Sequence, residues 1–319
     1  MAQAYWIGVD LGGTKILAGL FDSRMKLVAR VKKSTEAELG GPAVFQRIVD
    51  GVQELLTETK IDPADVRGMG LAVPGQIKPN SSFVIFAPNL DWHDFDLKPL
   101  MPKAWKWPIV VDNDVRMGTY GEWTAGAARG AKHVFGIFAG TGVGGGLILD
   151  GELFHGFNGH AGEIGHTIIH WRKVKQLEDV AGRKNMLMRA KELLDDAPRL
   201  VRKNWKDVDT SKLRSSHLAQ FYEADDPIAV QIIEEAARAL ASAIASVVNL
   251  LSPEVIVIGG GVTMALGESF TERIWEIAQK MTLPKALNDV KYVTAALGDD
   301  AGIVGSASYA KSRFEGKTA

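Results

Sequence analysis

The first apolar runs of the chain are too short for helices. Tyr5 to Val9 is apolar, Gly12-Gly13-Thr14 supplies a turn, Lys15 to Phe21 runs into Asp22-Ser23, and Leu27 to Val31 follows. Runs of this length joined by short glycine-rich connections predict antiparallel strands. The period then changes. Phe45, Ile48, Val49, Val52, Leu55 and Leu56 recur at helical spacing and predict an amphipathic helix. Met69 to Val73, ending at Pro74-Gly75, and Ile109 to Val111 read as buried strands. Strands that alternate with helices in this way predict a mixed α/β sheet.

The opening pattern then returns. A helix is predicted over Val115 to Ala128, a strand over Val134 to Phe138, a glycine-rich turn over Gly140 to Gly146, and a strand over Leu147 to Leu149. Strand, Gly/Thr turn and strand thus occur twice, which predicts a duplicated structural unit, one per domain. Residues 184–251 read as mostly helical. The longest helix starts near Asp225-Asp226-Pro227, with its stripe on Ile233, Ala237, Leu240, Ile244, Val247, Val248 and Leu251. Pro253 stops it, and Val255 to Ile258 is a buried strand leading into Gly259-Gly260-Gly261. No low-complexity linker divides the chain, so a crossover near residues 115–130 is the expected domain boundary.

Composition narrows the function classes. With 319 residues, 46% of them hydrophobic and 24% charged, the chain is globular and long enough for two domains. Basic and acidic residues number 37 and 38, which argues against a general grip on nucleic acid or an anionic membrane. The absence of cysteine excludes disulfides, thiolate catalysis and Cys-ligated zinc. No basic leader or long apolar run is visible, and a cytoplasmic protein is expected.

Three glycine-rich stretches directly follow apolar strands: Asp10-Leu-Gly-Gly-Thr-Lys15, Gly140-Thr-Gly-Val-Gly-Gly-Gly146 and Gly259-Gly-Gly-Val262. Glycine lets backbone N–H groups approach a ligand closely, and several such donors beside a Thr hydroxyl form an anion cradle. One such stretch would be an ordinary turn, but three at strand ends favour phosphate binding. Gly140, Gly142 and Gly145 also satisfy G-x-G-x-x-G. A dinucleotide fingerprint requires a helix next, whereas a strand follows here, so that reading is rejected. The terminal Gly316-Lys-Thr318 lacks the glycine and the preceding strand of a P-loop and reads as a tail.

Val110-Val-Asp-Asn-Asp-Val115 sets Asp112, Asn113 and Asp114 at a strand end before a helix. Carboxylates there face the crevice where α/β proteins bind ligands, and one of the three is also expected to cap the helix. Gly159-His-Ala-Gly-Glu-Ile-Gly-His166, with Glu178 further on, pairs small residues with Glu163 and His166. Carboxylates and imidazoles of this kind bind polyhydroxy ligands. His155, His160, His166 and His170 lie close in sequence, but HExxH is absent and a histidine metal site is the weaker reading.

These segments together resemble the ROK family (repressors, open reading frames, kinases). The resemblance rests on Asp10-Leu-Gly-Gly-Thr-Lys15, Val73-Pro-Gly75, Ala87-Pro-Asn-Leu90, Asn113-Asp114, Gly140-Thr-Gly-Val-Gly-Gly145, Gly162-Glu-Ile-Gly-His166 and Ile258-Gly-Gly-Gly261, in the family's order from about Ile7 to Ala310. It implies an α/β protein with a two-domain actin/hexokinase-like (ribonuclease H-like) fold and a ligand cleft between the domains. The expected domains are residues 1–116, completed by a C-terminal helix over about 301–319, and residues 117–300.

The resemblance also implies roles. Asp114 looks like the catalytic base, while Gly75, Asn89, Asn113, Asp114, Glu163 and His166 look like the sugar site. Leu177-Glu-Asp-Val-Ala181 would make Glu178 a further sugar ligand. Asp10, Gly12, Gly13, Thr14 and Lys15, with Gly140, Thr141 and Gly142, correspond to the ATP phosphate loops, and Gly259, Gly260, Gly261 and Val262 to the adenosine side. Asp10 would hold Mg²⁺ through water. Most members carry a C-x-C-G-x-x-G-C zinc motif before the last glutamate. Here His170-Trp-Arg-Lys-Val-Lys-Gln176 is shorter and has no cysteine, so no zinc is expected. For Glu178 to reach a sugar, this loop is then expected to be stiffened by packing of Trp171 and Val174.

The implied activity is transfer of the γ-phosphate of ATP·Mg²⁺ to a hexose, most simply glucose O6, by a cytoplasmic homodimer with no nucleic-acid or membrane partner. The alternatives are polyphosphate as donor, or fructose, mannose or an N-acetylhexosamine as acceptor. Zinc-free relatives include polyphosphate-using glucokinases, whose Asn89-Leu-Asp-Trp92 and Ala301-Gly-Ile-Val-Gly305 segments look alike. Arg172, Lys173 and Lys175, or Arg202, Lys203 and Lys206, would serve a polyanion. A sugar-responsive regulator is disfavoured, because the first strand begins by residue 5 and leaves no room for a helix-turn-helix.

Overall fold

The computed structural model describes residues 4–198, 205–206 and 214–315. Gly316-Lys-Thr318, Arg202 and Lys203 therefore lie outside the described residues. The chain divides into two compact units. The first comprises Met1–Gly130, Gly146–Gly162 and Ala296–Ala319, and the second Ala131–Gly145 and Glu163–Ala295.

The first sheet has the order β3-β2-β1-β4-β8, from β1 (Tyr5–Leu11), β2 (Lys15–Phe21), β3 (Leu27–Ser34), β4 (Val66–Val73) and β8 (Ile109–Asn113). β1 pairs antiparallel with β2 and parallel with β4, as a mixed sheet requires. The central β1 is buried along nearly its whole length, whereas edge strand β3 alternates, exposing Val28, Arg30 and Lys32 and burying Val31. A three-stranded sheet of β5 (Gln76–Ile77), β6 (Phe83–Ala87) and β7 (Trp92–Asp96) follows β4. Strands this short carry too little periodicity to be read from sequence.

Helix α1 (Gly41–Thr59) buries Val44, Phe45, Ile48, Val52, Leu55 and Leu56, the stripe expected from their spacing. The one-turn α2 (Met101–Ala104) precedes β8, and α3 (Asp114–Thr124) follows it. α3 is shorter than the expected Val115 to Ala128. The buried Glu122 carboxylate accepts the N–H of Ala127 at 2.9 Å and those of Ala296 and Leu297 at 3.0 and 2.8 Å. Those bonds pull the chain out of the helix.

The second sheet, β11-β10-β9-β14-β15, repeats the order of the first. Its strands are β9 (Val134–Ala139), β10 (Val143–Leu149), β11 (Glu152–Leu153), β14 (Val255–Gly259) and β15 (Lys291–Thr294). The glycine turn is shorter than read, because β10 begins at Val143 and takes Gly144 to Gly146 into the strand. Gly146 has a packing reason to be there: a Cβ would lie 2.4 Å from Thr119 Oγ1. A hairpin of β12 (Ile168–His170) and β13 (Lys175–Gln176) leads into α4 (Glu178–Ala181) and α5 (Arg183–Asp196).

Helices α6 (Ser215–Glu223), α7 (Pro227–Leu251) and α8 (Gly261–Gln279) complete the second unit. α7 starts where its sequence predicts. Pro227 sits in the first turn, and the Asp226 side chain accepts from Ile228 N and Ala229 N at 3.0 and 3.2 Å. No helix among the described residues is long and apolar enough to cross a membrane.

The last helix, α9 (Ala301–Phe314), belongs to the first unit and lies on β1, β4 and α3 at backbone contact. A Cβ on Gly8 would be 1.9 Å from Ile303 O, one on Gly70 2.0 Å from Ser306 O, and one on Gly305 1.7 Å from Met117 O. Gly70→Ala and Gly305→Ala should therefore each cost ~2 kcal/mol or more, because the listing atoms are backbone and cannot swing away. Gly51, inside α1, meets nothing closer than Lys33 side-chain carbons at 3.8 Å. Gly51→Ala should stabilise by up to ~1 kcal/mol through helix propensity. Chemical denaturation of the three variants checks both signs.

Candidate active site

In the first unit the site begins at the end of β8. Asn113 caps α3: its side-chain oxygen accepts from Val115 N at 2.9 Å and Arg116 N at 3.0 Å. Its amide nitrogen donates to Gly75 O and to Asp114 Oδ1, each at 3.0 Å. Gly75 is held in turn. Its φ is 92°, and a Cβ there would lie 2.1 Å from Phe86 O, so only glycine fits. Asp112 is buried and committed elsewhere. Its Oδ1 accepts from Arg116 Nε and Asn113 N at 2.7 Å, and its Oδ2 meets His155 Nε2 at 2.6 Å. Burial alone would raise the Asp112 pKa, but the His155 hydrogen bond and the Arg116 charge hold it below the ordinary value. Asp114, half-buried in the first helical turn, accepts from Asn113 Nδ2 at 3.0 Å and from Val115 N at 2.9 Å through Oδ1.

The β1–β2 turn lies in the same unit. Gly12 N donates to Lys15 O at 2.8 Å, closing the turn. Thr35, fully buried, staples it: its hydroxyl donates to Gly12 O at 2.6 Å and its N–H to Thr14 O at 3.0 Å. Sequence reasoning passed over Thr35, because a lone threonine after a strand carries no motif. Asn89 packs on Gly13, where a Cβ would be 3.0 Å from Asn89 O. Lys15 Nζ pairs with Asp299 at 2.6 Å.

Asp10 ends β1 against the first turn of α9, where a Cβ on Gly302 would be 2.6 Å from its carboxyl carbon. Burial and the neighbouring Asp114 push its pKa up to about 7, with Asp299 adding to the rise and Lys15 opposing it. Two nearby carboxylates, one of them hard to ionise, suit a divalent cation such as Mg²⁺.

In the second unit the Gly140-Thr141-Gly142 turn and Glu178 meet at Val143, and the Glu163–His166 segment approaches it through Gly165. Gly140 N donates to Gly142 O at 2.8 Å, and Arg183 N and Lys184 N donate to Gly140 O and Thr141 O at 3.0 and 3.2 Å. Glu178 Oε2 accepts from Val143 N at 2.8 Å, and Gly142 is glycine because a Cβ would lie 2.1 Å from that oxygen. Gly165, between Glu163 and His166, packs on Val143, where a Cβ would be 2.0 Å from its carbonyl oxygen. His166 Nδ1 meets Gln176 Oε1 at 3.0 Å.

The loop before Glu178 is not stiffened as expected. Trp171 and Val174 are 76% and 67% exposed, so they pack against little. The stiffness comes from the β12–β13 hairpin, from Leu177 N donating to Thr167 O at 2.9 Å, and from the fully buried Leu177 side chain. Three of the four histidines have separate surroundings: His155 meets Asp112, His166 meets Gln176, and His170 Nδ1 accepts from Lys173 N. Gly259 and Gly260 close β14 onto β9, with a Cβ on Gly260 2.3 Å from Ala139 O. Gly261 opens α8, and the Val262 side chain is core.

The raised Asp10 pKa makes a linkage prediction for protein in metal-free buffer. The unfolded chain keeps the ordinary value of 3.8 and the folded chain holds its proton up to about 7, so stability falls as pH rises between them. Asp10→Asn should remove that slope and be the more stable protein at pH ~8, by about 1–3 kcal/mol given the residue's partial exposure. Thermal melts of both proteins from acid to mildly alkaline pH test it; parallel curves would reject it.

Comparison with known proteins gives a consistent answer. The profile of the ROK family matches residues 6–313. A glucokinase of Halalkalibacterium halodurans is 33% identical over 316 residues, covering 96% of this chain and 94% of that protein. The crystal structure of a ROK family glucokinase from Streptomyces griseus in complex with glucose and AMPPNP superposes with a TM-score of 0.82 at 28% identity, covering 97% of this chain and 100% of the other. A xylose repressor of Caldicellulosiruptor bescii is 26% identical over 306 residues, covering 94% of this chain and 76% of the repressor.

Proposed function

The chain belongs to the ROK family and has its two-domain actin-like sugar kinase fold, and we propose that it is a kinase transferring the γ-phosphate of ATP to the 6-hydroxyl of glucose. The observation that carries this reading is the division of labour at the end of β8. Asn113 caps the helix, Asp112 is tied to Arg116 and His155, and Asp114, whose Oδ1 accepts from Asn113 Nδ2 and Val115 N, is the carboxylate this reading assigns to the ligand.

Phosphoryl transfer needs positioning, charge stabilisation and a base for the attacking hydroxyl. Asp114 takes the hydroxyl proton, oriented by the Asn113 amide at 3.0 Å. This reading assigns the sugar hydroxyls to Asn113 and Asn89 in the first unit and to Glu163, His166 and Glu178 in the second. Glu178 spends Oε2 on Val143 N and has Oε1 outside that bond. The Gly12-Gly13-Thr14-Lys15 and Gly140-Thr141-Gly142 turns supply N–H and hydroxyl donors to phosphate oxygens, and Gly261 at the start of α8 lies on the adenosine side. Mg²⁺, held through Asp10 and water, would neutralise charge on the phosphates. The same reading takes the enzyme to be a cytoplasmic homodimer.

Asp114→Asn should leave the fold and sugar binding intact and lower kcat by ~100-fold or more. Near-normal turnover would sink the assignment. A buried hydroxyl–carboxylate bond is worth ~1.5–3 kcal/mol, so Glu163→Ala, His166→Ala and Glu178→Ala should each lower kcat/KM for the hexose by ~10- to 150-fold. ATP affinity without sugar should barely change. If Glu178→Ala alone behaves like the parent, its carboxylate serves only to pin Val143.

A panel of glucose, fructose, mannose and N-acetylhexosamines against ATP and polyphosphate, read as sugar phosphate formed, decides acceptor and donor. Glucose with ATP is the expected best pair. Sugar binding without turnover on any pair would favour a regulator, the role named for the similar xylose repressor.

A further inference from the structure

A cavity of about 600 Å³ lies within the first unit, lined by segments 77–83, 96–101 and 109–112 and by Arg116, His155 and the end of α9. Gly75, Asn89, Asn113 and Asp114 do not line it; it lies behind the candidate sugar site, with Asp112 and Arg116 of its wall hydrogen-bonded to Asn113. Its size suits a phosphorylated sugar.

The chemistry of its lining is one-sided. Arg116 is 98% buried by side chain, with Nε on Asp112 at 2.7 Å and Nη1 on Gly159 O at 2.7 Å, while Nη2 has no hydrogen-bond partner among the described residues. A buried guanidinium edge left open toward a cavity is a donor awaiting an acceptor. Tyr309 also lines the cavity, and its hydroxyl has no hydrogen-bond partner among the described residues; burial, then Asp112, pushes its pKa up to about 12, so it stays a donor. Lys78, Lys98 and Arg313 line the same cavity with no ion pair among the described residues, Arg313 resting over the Tyr309 ring at 5.9 Å.

Two carboxylates line the cavity against four cations, Arg116, Lys78, Lys98 and Arg313. Asp112 has both oxygens engaged, and Asp96 Oδ1 accepts from Ser82 Oγ and Lys98 N at 3.2 and 2.9 Å. Apolar side chains of Ile77, Phe83, Met101 and Phe314 complete the wall. The arrangement is that of a pocket for a compact anion carried on a small, partly apolar body.

We propose that this cavity binds a small phosphorylated metabolite, with the phosphate on the open edge of Arg116, the Tyr309 hydroxyl and the cations Lys98 and Arg313. A sugar phosphate, the class of product assigned above, is the expected form, and to that extent the inference rests on the kinase reading. Free phosphate offers the same chemistry.

Isothermal titration of the full chain with glucose 6-phosphate and inorganic phosphate tests this, with and without saturating glucose and AMPPNP to fill the catalytic site. Glucose 6-phosphate should still bind, and Lys98→Gln/Arg313→Gln should weaken it by ~10-fold or more. Both positions are exposed, so the variant should fold; Lys98→Gln alone is the fallback and should weaken binding by a smaller factor. Equal binding of inorganic phosphate supports the site with the free anion as ligand. Loss of binding once glucose and AMPPNP are present, or binding unchanged in the variants, would overturn it. The titration reads binding, not turnover. A chain with no kinase activity but a variant-sensitive phosphate site would reject the kinase reading and keep this one.

Discussion

The first unit depends on backbone lying directly on backbone. Helix α9 meets β1, β4 and α3 through Gly8, Gly70, Gly121, Gly302 and Gly305, and at each a Cβ would come within 2.6 Å of another atom. Side-chain packing keeps a helix about 10 Å from a sheet; glycine on both surfaces removes that layer. The consequence is functional as well as structural. Asp10, near the end of β1, is pressed on the first turn of α9, and the resulting desolvation, with the neighbouring Asp114 charge, raises its pKa to about 7. A carboxylate held in that way is reluctant to carry charge until a cation arrives.

The junction of β8 and α3 works by a different constraint. Three consecutive polar side chains leave the strand, and the fold gives each a separate set of partners. Asp112 turns into the unit toward Arg116 and His155, Asn113 satisfies the first N–H groups of the helix, and Asp114 opens the helix itself. Strand alternation and the capping requirement impose this sorting, since neighbouring side chains on a strand point to opposite faces and a helix start needs an acceptor. Asn113 also ties Gly75 to Asp114, so the turn after β4 and the carboxylate share one hydrogen-bonding group.

In the second unit ordinary backbone economy holds the loop before Glu178. A short hairpin, one buried leucine and one N–H to carbonyl bond deliver Glu178 to the glycine turn at Val143. Gly142 and Gly165 each allow a close approach around that residue. The stiff element is therefore the turn and its carboxylate together, while Trp171 and Val174 project outward.

Much of this was legible along the chain. Periodicity located α1, the buried strands and the start of α7, because burial on one face leaves a period and an Asp-Pro start leaves a signature. The ordered glycine and carboxylate motifs pointed to the family, and the repeated strand–turn–strand pattern anticipated two sheets of identical order. Tertiary structure alone decided the rest. Which of Asp112, Asn113 and Asp114 caps the helix and which is tied into the unit depends on Gly75, His155 and Arg116, and His155 lies over forty positions away in sequence. The end of α3 was set by Glu122 reaching Ala296 and Leu297, and the β1–β2 turn by Thr35. Contacts between residues distant in sequence leave no local pattern: a glycine needed for close approach and a glycine needed for a turn are the same letter until the neighbouring backbone is in place.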